Sequence, residues 1–520
     1  MTDAIVKNLS FGDEARKKVF EGITKLTAAV SSTLGAGGKC VMLEDSNGRP
    51  VITKDGVTVA DSITLLDPVE NMGARLLKEA ARKTVQEAGD GTTTSTVLAH
   101  AILKEAYKSS KQFSTRELKI GIDTAVEKVV KYLEAKAVAV EGDMIDQIAT
   151  ISVNNDPELG KIIGDAFRAV GETGVVMMES SASAETEVEI LDGVQYEKGL
   201  VNSHFITNQA TGAAELESPV ILLIESPIEN IRQIQSVLEH VIKNNKQLLI
   251  IADMEQTVIS ALAMNKAKGN IKVNIINAPT YGVSKKDMLS DLAMLTGATI
   301  INEDLGDDMD MISIEHLGTC LKSVTTNAET VLQIHEQTDE VLELIKSIKK
   351  DLLSKNNPGE IVRLERRLAR LSAKVAIVKV GANSPIELKE KSDRVEDAIC
   401  ATKAAIKEGI VSGGGIALLN ASQILFTSVD TEAEKVLLEA IKAPYLTILS
   451  NAGISVLDKA LAEGFGIDVV RNGICNMIDN GIIDPLLVTK SALRNAASVA
   501  TTILSTDCVI NNLRVNEGNR

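Results

Sequence analysis

Apolar positions recur at helical spacing between residues 8 and 34. One face of the predicted helix is formed by Val19, Ile23, Leu26 and Val30. Apolar residues three and four positions apart share one side of a helix. The periodic stretch stops at the glycine-rich segment 33–38, so the pattern predicts a helix that leads into a glycine loop.

Short apolar runs near residues 41–43 and 50–53 predict two strands after this loop. Helical spacing then returns over about 71–87 and again over 92–107, with a glycine-rich break between the two stretches. The first part of the chain is therefore predicted to be mainly helical.

The pattern changes between about 190 and 300, where β-rich runs alternate with helical segments. The most regular runs are 220–224, 247–252 and 271–276. This is the strand-helix-strand rhythm of an α/β domain. Residues 329–375 predict two long charged helices, and alanine-rich helices return over 395–505. Helical ends around a β-rich middle indicate one domain made from both chain ends, with the middle inserted into it.

Composition narrows the class of protein. The 520 residues are 44% hydrophobic and 24% charged, as in a soluble globular protein of several domains. Aromatic residues make up only 2%, so Ala, Val, Ile and Leu must fill the core. The net charge of −16 argues against nucleic acid and anionic membranes as partners. The cysteines and histidines are scattered, and no apolar run suits a signal peptide or a membrane span, so we expect a reducing, cytoplasmic location.

Three segments place an Asp where it could serve a nucleotide. Asp55 and Asp90 lie beside glycines and hydroxyl residues, and Asp397 lies in an acidic segment. Backbone N–H groups and helix N-termini bind phosphate, while carboxylates hold metals or orient water. Taken singly, each segment is also explained by a turn, and the loop 90–94 equally by a capped helix. The sequence before Lys39 lacks the glycine spacing of a P-loop, so any nucleotide is held by another scheme.

Eight segments together resemble the signature segments of the group I (GroEL-like) chaperonins, in the order and nearly the spacing of that family. They are 33–35, 52–57, 70–73, 88–94, 212–219, 394–397, 413–415 and 481–485. The resemblance covers essentially the whole chain and implies an α+β multidomain fold. It has a mainly helical equatorial ATPase domain (1–135 and 409–520), a small intermediate domain (136–191 and 376–408) and an inserted α/β apical substrate-binding domain (192–375).

The resemblance also implies a site for ATP, Mg²⁺ and K⁺. Its ATP-binding residues would be Thr33, Leu34, Gly35, Ala36, Lys54, Asp90, Gly91, Thr92, Thr93, Thr94, Gly414, Asp468, Val469, Val470 and Asp484. Asp90 would bind Mg²⁺, and Lys54 would lie near the γ-phosphate and K⁺. Asp397 would reach the attacking water only after the intermediate domain closes, with Asp55 assisting as the second catalytic residue.

Apolar stripes in the apical segment have two interpretations. On periodicity alone, packing into the core is favoured. The resemblance reverses this and implies an exposed groove that binds unfolded polypeptides and a co-chaperonin. Its residues would be Leu200, Phe205, Leu238, Ile259, Ala263 and Met264.

Several positions depart from the family pattern. Ala36 and Gly37 stand where Pro and Lys are usual, and Gln235 and His204 make the apical groove more polar. Leu446 replaces the usual Arg at the contact between rings, so the number of rings stays open. Such departures are typical of a divergent copy, for example one encoded by a phage.

The sequence therefore predicts an ATP-dependent molecular chaperone that forms homo-oligomeric, heptameric rings and hydrolyses ATP while it assists the folding of non-native proteins. One alternative is a scaffold with the chaperonin fold but without ATPase activity. Retention of Asp55, Asp90 and Asp397 together argues against it. Another is a phosphotransfer enzyme that forms an acyl-phosphate on Asp90.

Overall fold

The computed structural model describes residues 7–44, 48, 50–153, 156–171, 174–181, 183–196, 198–209, 211–278, 283–334, 338–354, 358–372, 374–455 and 461–512. The chain divides into two compact units. Unit 1 contains residues 1–164 and 382–520, and unit 2 contains residues 165–381. Unit 1 is thus built from both ends of the chain, and unit 2 is inserted between them. The finer division into three domains stays a prediction.

The described chain contains both α-helices and β-strands. The helices are α1 Gly12–Ser31, α2 Gly56–Ser62, α3 Pro68–Ala88, α4 Thr92–Ser109, α5 Thr115–Lys136, α6 Met144–Ser152, α7 Pro157–Val170, α8 Gln235–Lys243, α9 Gln256–Ala267, α10 Val283–Thr296, α11 Asp339–Ser354, α12 Pro358–Leu371, α13 Pro385–Glu408, α14 Ile416–Leu425, α15 Glu434–Ala440, α16 Ala443–Asn451 and α17 Leu486–Leu504. The strands are β1 Lys7–Phe11, β2 Val41–Glu44, β3 Pro50–Thr53, β4 Val175–Ser180, β5 Glu187–Tyr196, β6 Ala214–Glu217, β7 Val220–Ile224, β8 Gln247–Ile251, β9 Lys272–Ile276, β10 Ile300–Ile301, β11 Gly318–Thr319, β12 Lys322–Thr325, β13 Thr330–Gln333, β14 Lys374–Val380, β15 Ile410–Ser412, β16 Phe465–Asp468, β17 Gly473–Asn476, β18 Ile483–Pro485 and β19 Cys508–Asn512.

The core of unit 1 is a bundle in which α1, α3, α4, α5 and α17 pack together. Every fully buried member of its main cluster is Ala, Val, Ile or Leu, which confirms the expectation from composition. Helices α1 and α3 cross at very short range. A Cβ atom added at Gly22 would lie 1.9 Å from the carbonyl oxygen of Glu70, and one added at Gly73 would lie 2.3 Å from that of Val19. Only glycine permits this approach.

Strand pairing joins the two ends of the described chain. Strand β1 runs antiparallel to β19, with Lys7 opposite Asn512 and Phe11 opposite Cys508. The prediction of a helix from residue 8 was therefore wrong over 8–11, because these residues find a strand partner some 500 residues away. Unit 1 also contains the hairpin of β2 with β3 and the pairs β15–β18 and β16–β17.

Unit 2 contains two sheets. In the first, β10, β7, β8 and β9 lie side by side in parallel, and β11 pairs antiparallel with β7. Alternate residues of β7 enter different cores, Leu222 on one face and Ile221 on the other. Burial on both faces explains the unbroken apolar runs of β7 and of β8 from Leu248 onward. The predicted α/β arrangement and its three strands are confirmed. The second sheet has the order β4-β14-β5-β13-β12-β6.

The two predicted charged helices of 329–375 are α11 and α12, but both are shorter than expected. Their outer ends instead belong to strands β13 and β14 of the second sheet. The Asn-Asn-Pro-Gly segment 356–359 favours a turn between the two helices, and its residues 356 and 357 lie outside the described part of the chain. Helix α12 is attached to α10 through Asp291, whose carboxylate accepts from Arg367 at 2.6 Å and from Arg370 at 3.1 Å. None of the described helices is long and apolar enough to cross a membrane.

Candidate nucleotide site

Unit 1 contains a cavity of about 620 Å³ that is lined by residues from both ends of the chain. Of the predicted catalytic and ATP-binding residues, those on its walls are Thr33, Leu34, Gly35, Ala36, Lys54, Asp55, Asp90, Gly91, Thr93, Thr94, Asp397, Gly414, Asp468, Val469, Val470 and Asp484. Thr92 is the exception: it is buried, and its carbonyl oxygen accepts from the hydroxyls of Ser95 and Thr96. The fold thus gathers residues that are far apart in sequence around a single cavity.

The glycine loop 33–38 follows directly from the last turn of α1. Its own backbone bonds run from Leu34 N–H to Ser31 at 3.2 Å and from Gly38 N–H to Gly35 at 3.0 Å. Gly35 has φ +80°, which favours glycine. Within the described part of the chain, the N–H groups of Gly35 and Ala36 donate to no acceptor. They are therefore free to bind an anion in the cavity.

The N-terminus of α4 forms a second wall. Asp90 lies between Gly89 (φ 75°) and Gly91 (φ 94°), which turn the chain sharply from α3 into α4. No side chain among the described residues caps this end of α4. The first N–H groups of a helix have no partner within it and carry a partial positive charge, so they attract phosphate.

Asp55 supports a third wall by capping helix α2. Its carboxylate accepts from the N–H groups of Val57 at 3.1 Å and Thr58 at 2.7 Å. The ends of α2 and α4 abut, because a Cβ atom added at Gly56 would lie 2.4 Å from the hydroxyl of Thr93. This close contact brings Asp55 to the cavity beside the α4 terminus.

Helix α13 contributes Asp397 together with two acidic residues that the sequence interpretation missed, Glu390 and Asp393. Residues three and four positions apart share a helix face, so the spacing 390, 393 and 397 could have revealed them. Arg394 also lines the cavity, and its guanidinium donates to Glu390 at 2.6 Å.

Carboxyl groups are crowded in this cavity. Burial, together with the charge of Asp55, raises the pKa of Asp90, although the Gly91 amide opposes the shift. Burial and the charges of Asp90 and Asp55 raise the pKa of Asp397 well above its ordinary value. Burial and Asp90 also raise the pKa of Asp484 to about 7. Such mutual repulsion favours a bound cation or proton.

The far end of the cavity is mixed in polarity. Asp484 lies opposite Val411 in the β15–β18 pair and accepts from the amides of Gly414 and Gly415. Asp468 accepts from Val470 N–H at 2.9 Å and so fixes the turn after β16. The apolar wall residues that were not predicted include Ile151, Tyr445, Ile448, Met477 and Ile482.

The six apolar residues predicted to bind substrate lie in unit 2, and all except Met264 belong to one core or pack against it. Met264 is 59% exposed, but Phe205, Leu238, Ile259 and Ala263 are buried. Leu200 is half-buried and packs against the same core. The four buried residues pack into the core in this structure. The role of the six residues in substrate binding stays a prediction.

The sequence matches the model of the TCP-1/cpn60 chaperonin family over residues 26–514. The chain belongs to this family. The expected chaperonin fold is confirmed, and membership identifies the protein as an ATP-dependent chaperone.

Solved structures of a phage protein have the same fold. The chaperonin gp146 from bacteriophage EL 2 (Pseudomonas aeruginosa), crystallised in the presence of ATP-BeFx, matches with a TM-score of 0.72 in crystal form II and 0.65 in crystal form I. Each match is 22% identical and covers 97% of this chain and 99% of the phage chain. The low identity agrees with the expectation of a divergent member.

Proposed function

We propose that this chaperonin hydrolyses ATP to ADP and phosphate in the unit 1 cavity and couples hydrolysis to the folding of non-native proteins. The observation that carries the proposal is the convergence of a glycine loop with free N–H groups, an uncapped helix N-terminus and several carboxylates on one cavity. The phage chaperonin was crystallised with an ATP analogue, which supports nucleotide binding here.

Different walls of the cavity would bind different parts of ATP. The loop 33–36 and residues 91–94 would bind the phosphates through N–H groups and hydroxyls. The nucleoside would lie against Gly414, the stretch 468–470 and Asp484. These assignments are the ones that the chaperonin resemblance implies, and the presence of all these residues except Thr92 on the walls of one cavity supports them.

Asp90 is the proposed ligand of Mg²⁺, and Lys54 would lie near the γ-phosphate and a K⁺ ion. Among the described residues, no three His, Cys, Asp or Glu side chains form a metal site by themselves. Mg²⁺ commonly uses one or two carboxylates and completes its shell with phosphate oxygens and water. The crowded oxygen donors around Asp90 fit such an ion, which would supply charge neutralisation on the phosphates.

Asp397 would orient the water that attacks the γ-phosphate, with Asp55 assisting. Burial and the charges of Asp90 and Asp55 raise the pKa of Asp397, so a cation that enters the cavity would favour its charged form. Hydrolysis would then depend on prior binding of ATP with its metal.

The experiment compares ATP hydrolysis, ATP binding and native mass for the wild type and Asp397→Ala. We expect the variant to bind ATP and to turn it over about 10²- to 10⁴-fold more slowly. Lys407→Ala is the control, because Lys407 is exposed on the same helix and does not line the cavity. A folded wild-type protein that hydrolyses no ATP would support the alternative function, a scaffold with the chaperonin fold. Acid-stable phosphate on Asp90 would instead support the phosphotransfer enzyme.

We also propose that copies of the chain assemble into heptameric rings in the cytoplasm, and that unfolded polypeptides and a co-chaperonin bind to unit 2. Large apolar side chains are exposed on four strands of unit 1, namely β1, β2, β3 and β19. The exposed residues are Leu9, Phe11, Met42, Ile52 and Ile510. Apolar side chains on short, open-edged sheets are suited to contact another copy.

On unit 2, the large apolar side chains of Ile242 on α8 and Met264 on α9 are exposed and could contact a substrate.

A further inference from the structure

Asn451, the last residue of α16, contacts the glycine loop from its side. Its side-chain amide donates to the carbonyl oxygen of Ser31 at 2.8 Å and to that of Leu34 at 2.9 Å. Both donors of the –NH₂ group are thus used, one on the last residue of α1 and one on the loop. The two acceptors lie on either side of Thr33, so one side chain ties together the end of α1 and the start of the loop.

The end of α16 also lies against the glycines of the loop. A Cβ atom at Gly35 would lie 3.0 Å from the side chain of Ile448, and one at Gly37 would lie 2.8 Å from the Cα atom of Ala452. The loop therefore rests closely on α16 and the residue after it. Contact along both glycines limits the directions in which the loop can move.

The bond to Leu34 has a consequence for its neighbour. The carbonyl of Leu34 and the N–H of Gly35 belong to one planar peptide group, and in a trans peptide they point in opposite directions. The described chain has no cis peptide bonds. When Asn451 fixes the carbonyl, it also fixes the direction of the Gly35 N–H, which has no acceptor among the described residues. Gly35 is one of the residues that line the cavity.

The loop itself supplies little rigidity. Its glycines at 35, 37 and 38 have wide conformational freedom, and Ala36 does not restrict φ as a proline would. A loop that is ordered before ligand arrives binds more tightly, because less conformational entropy is lost on binding. An external contact that orders this loop should therefore increase its affinity for phosphate.

We infer that Asn451 is a positioning residue for ATP binding, which holds the Leu34–Gly35 peptide so that its N–H faces the phosphates. The inference rests on the proposed ATP site. Asn451 does not line the cavity, so it acts through the loop and not by touching nucleotide.

The test uses Asn451→Asp, which keeps the size of the side chain but cannot donate, and Asn451→Ala. We expect both variants to raise the Kd and KM for MgATP about tenfold, the effect of losing one or two ordinary hydrogen bonds, with kcat within about twofold of wild type. Asn451→Gln retains a donor and should fall between. Ser450→Ala is the control, since Ser450 is the exposed neighbour on the same helix. Native mass and thermal unfolding verify that each variant is folded.

Amide hydrogen exchange of residues 33–38 without nucleotide gives a second measurement. Exchange should be faster in Asn451→Asp than in wild type and unchanged in Ser450→Ala. If Asn451→Asp binds MgATP within twofold of wild type, or lowers kcat without raising KM, the positioning role is refuted while the ATP site stands. If the wild type itself binds no MgATP, the proposed function fails in that sample and the role of Asn451 fails with it.

Discussion

The buried carboxylate of Glu434 should be one of the strongest single contributors to the stability of unit 1. Only 1% of the side chain is exposed at the start of α15. Its carboxylate accepts from Lys128 Nζ at 2.7 Å, from the N–H groups of Asp430 at 3.2 Å and Thr431 at 3.0 Å, and from the Thr431 hydroxyl at 3.2 Å. A buried charge is stable only with such partners.

The cost of Glu434→Ala follows from these contacts. Net hydrogen bonds to a charged group contribute about 1.5–3 kcal/mol each, but Asp430 and Thr431 are exposed, so water can replace part of the loss. Lys128 also keeps Asp430 as a partner at 2.7 Å. We therefore expect a loss of about 3 kcal/mol for Glu434→Ala and about half of that for Glu434→Gln, whose amide cannot accept at both ends.

Hydrogen exchange measured on peptides from α5 and α15 reports this loss locally, without requiring the whole chain to unfold in one step. Glu432→Ala is the matched control. Glu432 is 68% exposed and pairs with Lys435 three residues away, and such surface pairs contribute at most about 1 kcal/mol. The reasoning is refuted if Glu434→Ala reduces protection in α5 and α15 by less than about 1 kcal/mol, or if the control reduces it equally.

Two other residues of unit 1 give sharp expectations. Burial lowers the pKa of His100 from 6.5 to about 4. Since the unfolded chain takes up the proton first, the contribution of His100 to stability is complete above pH 6.5 and falls by about 2 kcal/mol between pH 7 and pH 5. Asp484, whose pKa is raised to about 7, shifts stability in the opposite direction, but it does so equally in the wild type and in His100→Phe. Urea unfolding at both pH values should therefore show pH dependences that differ by about 2 kcal/mol between the two proteins; equal slopes would contradict it. Gly73→Ala should destabilise the chain by about 3 kcal/mol, because its Cβ atom would lie 2.3 Å from the Val19 carbonyl oxygen. An unchanged melting temperature would show that α1 and α3 separate easily.

The local pattern of apolar residues correctly predicted those helices and strands whose buried positions recur regularly along the sequence. Strand β7 is fully apolar and β8 and β9 are mostly so, because both faces are covered, and their positions could be read from the sequence within one residue. Residues 8–11 and 330–333 were assigned to helices because their strand partners lie far away in the chain. Helical spacing records which face is buried, but it carries no information on a distant partner.

The candidate nucleotide site also contains residues that the sequence predicted and residues that it did not. Residues in glycine-rich or acidic segments were predicted, since turns and carboxylates are visible in the sequence, and the fold gathers them on one cavity. Tyr445 and Ile482 were missed because they resemble ordinary core residues until the fold is known. Periodicity alone favoured core packing for the stripes that contain Leu238 and Ile259, and both residues are buried, whereas the resemblance implied that they are exposed.

The insertion of unit 2 between the two parts of unit 1 has a consequence for synthesis on the ribosome. Residues 165–381 form a continuous unit whose sheets can be completed well before translation ends. Strand β1 leaves the ribosome near the start, yet its partner β19 emerges about 500 residues later, roughly half a minute or more at ordinary elongation rates. During that time the apolar faces of the bundle formed by α1, α3 and α4 are not yet covered by α17. A chaperone with this chain order is itself exposed to aggregation while it is made, and its inserted unit should be the first part to become native.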